Sequence, residues 1–139
     1  MAINHEGLEL AESVEHFVKH AFIALANKNL GDFLELVDSA GAEAQSIKNQ
    51  DNTDPKYGLS NARILCACAN LRVMMVICES MVNGKPNPES VQISKDRIRI
   101  ELQAAKNFIK IAQIEELSPA FDFAYEKLNS ILDRHAKIE

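Results

Sequence analysis

Apolar residues recur along most of this chain at spacings of three and four, the repeat of an α-helix with one side turned from water. The pattern predicts five helices, over residues 6–27, 30–49, 58–83, 88–115 and 119–135. In the first, Ala11, Val14, Phe17, Val18, Ala21, Phe22 and Leu25 share one stripe. Leu30, Phe33, Leu34, Val37, Ala40, Ala44 and Ile47 do so in the second, interrupted by Gly31 and Gly41. Each glycine costs a helix interior about 1 kcal/mol relative to alanine. In the fifth, Phe121, Ala124, Tyr125, Leu128, Ile131, Leu132 and His135 align. Such helices cover a core with one face each.

The third and fourth segments differ, because each carries two apolar stripes. On the third, Leu59, Ala62, Cys66, Ala69, Val73, Val76 and Ile77 form one, and Ile64, Leu71, Met75, Cys78 and Val82 a second, roughly opposite. A helix apolar on two sides is buried on two sides. It is either the central helix of a bundle or one that faces both its own core and another subunit. On the fourth, Val91, Ile98, Leu102, Ala105 and Ile109 form one stripe, and Ile93, Ile100, Ala104 and Ile111 the other. Residues 91–102 also alternate with period two, which is a hairpin signature around Lys95-Asp96. Helix is the stronger reading, since that turn lacks glycine and its neighbourhood is helical.

Breaks between helices are marked by local chemistry. Asn87-Pro88-Glu89 supplies a capping side chain, a proline at the first helical position and an acid in the first turn. Ser118-Pro119 repeats that logic, and Asn83-Gly84 with Pro86 stops the third helix. The expected fold is an all-α, four- to five-helix up-and-down bundle in a single domain over residues 1–139. A chain of this length buries roughly 68% of the surface it exposes when unfolded, so it needs no metal or disulfide to hold a core.

Charge narrows the partners. A net charge of −5, with the basic residues scattered among acidic neighbours, argues against nucleic acid and against an anionic membrane. Lys95, Arg97 and Arg99 are the one basic run, and Asp96 and Glu101 dilute it. The start lacks a positive region followed by an apolar run, so a cytoplasmic location is expected. The apolar run around residues 73–78 falls short of the roughly 20 residues that span a bilayer. Cys66, Cys68 and Cys78 lie in one apolar segment and read as reduced thiols acting as small hydrophobes. Cys66-Ala-Cys68 lacks zinc-site spacing.

Several polar residues sit awkwardly. Arg97 and Glu101 lie one turn apart between the two stripes of the fourth helix. Arg72 and Glu79 occupy a narrow polar strip on the third, with Asn61 and Cys68 on the same side. Were the strips to face each other, Arg72, Glu79, Arg97 and Glu101 would meet inside the bundle, as a structural ion-pair network or as a ligand site. His16 and His20, with Glu12 a turn earlier, have metal-compatible spacing but lie opposite the apolar stripe. Asp51-Asn52-Thr53-Asp54 lacks the glycine and distal glutamate of a calcium loop. No phosphate-cradling loop or nucleophile elbow occurs, so no catalytic residue, metal or cofactor is assigned.

The excess of apolar faces favours a non-enzymatic protein-interaction or regulatory module, acting as a homodimer or on a protein partner. Met74, Met75 and Met81 would lend the surplus stripe adaptability. The alternative is a small-ligand-binding bundle or enzyme built on the four charges between the third and fourth helices.

Overall fold

The computed structural model describes residues 5–48 and 54–136, with side chains described for 7–45 and 54–136. Among these residues the chain forms five helices: α1 (His5–Ala26), α2 (Leu30–Lys48), α3 (Gly58–Asn83), α4 (Pro88–Ile111) and α5 (Ser118–Ala136). Single 3-10 turns, Pro55–Tyr57 and Glu115–Leu117, lead into α3 and α5. No strand occurs among the described residues, and residues 91–102 are helical throughout. Ile47 and Asp51-Asn52-Thr53 lie outside the described side chains.

Capping explains where the helices begin. Asn87 Oδ1 accepts from the Glu89 amide at 2.8 Å, with Pro88 at the first helical position of α4. Asn29 Oδ1 accepts from the Asp32 amide at 3.3 Å at the start of α2. Gly84 closes α3 at φ 81°, where a side chain would be strained.

The fourth helix is shorter than its sequence pattern predicts, ending at Ile111 rather than residue 115. Gln113 adopts φ 60°, its amide donates to the Lys110 carbonyl, and the Ile114 amide donates to the Ile109 carbonyl. Those two bonds are a Schellman stop, with an apolar contact between Ile114 and the core closing it. The same stop ends α1 at Lys28, φ 61°. Neither position is a glycine, so the usual stop residue is missing from the sequence.

α3 is the central helix. Its Leu71, Met74 and Cys78 pack against Ala21, Ala24 and Leu25 of α1 and Phe33 and Ala40 of α2. Lower down, Ile64 and Ala67 meet Ala11, Val14 and Ala44. Its other side, through Ala62, Ala69, Val73 and Val76, joins the largest cluster, with Ile98, Leu102, Ala105 and Ile109 of α4 and Phe121, Leu128 and Leu132 of α5. Ion pairs fix the registers. Lys106–Asp122 and Lys95–Asp133 run α4 and α5 antiparallel, and Arg72–Glu101 ties α3 to α4 near their middles. Gly58 permits the close crossing of α3 and the end of α4, for a Cβ there would sit 2.6 Å from the Phe108 carbonyl oxygen and the Ala112 Cβ.

By length and composition alone, Pro55–Asn83 is apolar enough to cross a bilayer, with a mean hydropathy of 1.6 over its best stretch. Within the fold α1 and α2 cover one side of α3 and α4 and α5 the other, and 44% of that stretch is buried.

Candidate functional site

The polar strip on α3 meets α4 at one point. Arg72 donates through Nε to Glu101 Oε1 at 2.7 Å and through a terminal nitrogen to Oε2 at 3.0 Å. This two-pronged fit matches the guanidinium fork to the carboxylate. The Glu101 side chain is 8% exposed and Arg72 35%, so the pair is a lip: the acid is inside and the base reaches out to it. The Glu101 hydrogen bonds raise the Arg72 pKa further above its already high ordinary value, against the opposing effect of burial. Arg72 therefore stays charged at every accessible pH.

The other two charges of the anticipated cluster go elsewhere. The Glu79 carboxylate accepts from the Asn87 amide, tying the end of α3 to the start of α4. Arg97 is exposed, on the outer side of α4. The antiparallel register explains the separation. Glu101 faces Arg72, so Glu79, two turns toward the loop, is carried to the first turn of α4, away from Glu101. Arg97 points over the edge of the α3–α4 seam rather than into it. The arrangement secures two helices and leaves no convergent group of four charges.

Asn61, on the same side of α3, is 3% exposed, and both its side-chain polar atoms lack a partner among the described residues. A second two-pronged ion pair, unanticipated from spacing, joins Arg63 to Glu15 of α1 at 3.0 and 2.5 Å. Its two residues are 48 apart in sequence, so only the tertiary fold reveals it. His16 and His20 stack with ring centroids 4.2 Å apart on an exposed stretch of α1, with Glu12 also exposed. No group of three or more potential metal ligands occurs among the described residues. The three cysteines are reduced, Cys78 buried and Cys66 and Cys68 half-buried. Burial pushes the Cys66 thiol up, and the nearby Glu15 charge adds to the effect. A thiol held neutral is a poor nucleophile and a poor metal ligand.

The outer surface tells a different story. Ile93, Ile100 and Ile111 are 59, 57 and 47% exposed, forming one row down α4 with half-buried Ala104 between them. Beside the row, Met75 and Val82 of α3 are also exposed. Together with Ile93, Cys78 and Glu79 they line an open groove of about 440 Å³. The three methionines anticipated on one stripe separate: Met74 is buried against α1 and α2, whereas Met75 and Met81 emerge on different sides of α3. At about 100° per residue Met75 turns away from Met74, whereas Met81, seven residues on, returns to the edge of Met74 but lies in the exposed last turn of α3.

The molecule defined by these features is an all-α bundle around a central helix, with a sizeable apolar row facing outward on α4. Compared with protein-family models, with curated proteins and with solved structures, the chain finds no match.

Proposed function

We propose that this protein is a non-enzymatic protein-interaction module that acts as a cytoplasmic homodimer through the outer face of α4. The observation that carries the proposal is the row Ile93, Ile100 and Ile111, each about half exposed along one helix edge. Isoleucine is a poor choice for a solvated helix position. It gives up about 0.4 kcal/mol of helix propensity relative to alanine and keeps apolar surface in water. Three such residues in one row contribute little to the folded single chain, whose core is filled without them. An apolar strip of this kind, broken only by Arg97 and Asn107, marks a surface meant to be covered.

The polar features support the same reading. Arg72 and Glu101 satisfy each other, and Glu79 is engaged at the end of α3. Size-exclusion chromatography with light scattering tests the proposal. The expected result is twice the chain mass at tens of micromolar, falling to the single-chain mass in Ile100→Glu while helical circular dichroism is unchanged. A single-chain mass for the unaltered protein at several hundred micromolar overturns it.

A further inference from the structure

We infer that the partner on this face is a second copy of α4 running antiparallel, with the two-fold axis passing beside Leu102. The inference rests on the homodimer reading above and adds its geometry.

The row is symmetric about Leu102. Ile93 and Ile111 lie nine residues to either side, and Ile100 and Ala104 lie two to either side. Between them come Arg97 and Asn107, each five residues away. Positions 93, 97, 100, 104, 107 and 111 alternate in steps of four and three, the seam of a two-helix coil. A two-fold contact requires a surface that complements itself. Antiparallel pairing about Leu102 supplies this at every level: Ile93 meets the partner's Ile111, Ile100 meets the partner's Ala104, and polar Arg97 meets the partner's polar Asn107. Apolar covers apolar and polar covers polar.

The flanking charges choose the direction. Asp96 and Lys110 flank the seam on the side away from α3, and both are exposed. In the antiparallel pair each Asp96 faces the partner's Lys110, giving two opposite-charge contacts. On the α3 side the two Glu101 carboxylates approach each other, but Arg72 already neutralises each one. A parallel pair in register would instead stack Arg97 on the partner's Arg97 and set Asp96 against the partner's Glu101. The uncompensated Arg97 pair disfavours it, and the parallel pair gains no Asp96–Lys110 contact in return.

The strip spans about 27 Å of helix, too narrow alone for the roughly 800 Å² per partner of a standard interface. The adjoining edge of α3 widens it. Val82 shares a groove with Ile93, so it lies at the level the partner's Ile111 would occupy. Two copies related this way place both α3 edges on the same side of the paired α4 helices.

Charge exchange tests the geometry in the full chain. Asp96→Lys alone and Lys110→Asp alone each place like charges at both flanks, and each is expected to raise the dimer dissociation constant about tenfold. In an equimolar mixture of the two variants, the introduced lysine of one chain faces the introduced aspartate of the other at one flank. At the second flank the unaltered Lys110 and Asp96 face each other, so both contacts again pair opposite charges. The mixture is expected to restore association as a heterodimer, seen by native mass spectrometry. Failure of the mixture to recover, or single variants that dimerise as tightly as the unaltered protein, overturns the antiparallel geometry while leaving the homodimer standing. An unaltered protein that stays monomeric overturns both.

Discussion

The third and fourth helices carry the same sequence signature, two apolar stripes apiece, and meet different fates. Both stripes of α3 are largely covered by the chain itself, with Met75, Met81 and Val82 left at the margin. On α4 one stripe, through Ile98, Leu102 and Ile109, is buried, and the other stands in water. The difference comes from position, not composition. α3 runs through the middle, with α1 and α2 on one side and α4 and α5 on the other, whereas α4 is flanked by α3 and α5 and open beyond them. A double stripe states that a helix will be covered twice. It does not state by whom.

The sharpest way to break this contrast lies within α4, where Ile98 and Ile100 are two residues apart and point in opposite directions. Ile98 is fully buried, so Ile98→Ala should cost about 2–4 kcal/mol through lost transfer energy and the cavity left behind. Ile100→Ala removes the same atoms from a half-exposed site and should change single-chain stability by less than about 0.5 kcal/mol. Urea unfolding at protein concentrations low enough to keep the chain monomeric measures both. Equal costs would mean that the outer row is covered within the chain, ending the contrast between the two helices.

A second comparison sets the two ends of the α3–α4 ion pair against each other. Arg72 is partly exposed and can swing its head to water if Glu101 is lost, so Glu101→Ala should cost about 1–2 kcal/mol. Glu101 is almost wholly enclosed, so Arg72→Ala strands a carboxylate and should cost more, about 3 kcal/mol. Replacing both residues with apolar ones of similar volume should recover most of the loss. Thermal melts of the three variants at neutral pH check the order. A larger loss for Glu101→Ala would reverse the assignment of inside and outside.

Much of this is legible in the sequence. Five helices, the capped start at Asn87, and the inward stripes of α1, α2 and α5 follow from period and local chemistry, except that Phe22 of α1 and Leu34 of α2, expected on those stripes, are exposed. So does the anomaly of α3 and α4. What stays hidden depends on register and topology. Arg72, Glu79, Arg97 and Glu101 share suitable faces of two helices, yet antiparallel packing lets one acid reach one base and carries the others away. The Glu15–Arg63 bridge joins helices whose relative placement no spacing reveals. The early end of α4 is equally hidden, since glutamine stands where glycine would have announced it.

That stop gives the smallest and cleanest effect. Gln113 holds a left-handed conformation at φ 60°, which costs a residue with a Cβ about 1 kcal/mol that glycine avoids. Part of the gain from glycine is offset by the wider freedom it brings to the unfolded chain. Gln113→Gly should therefore stabilise the protein by about 0.5 kcal/mol. Gly84 sits in the same region at φ 81°, in open space, so Gly84→Ala should destabilise it by about 1 kcal/mol through backbone strain alone. Opposite signs at the two ends, read from chemical denaturation, would show that both helices stop by the same backbone geometry. A destabilising Gln113→Gly would mean that the glutamine side chain, and not the turn, holds the end of α4.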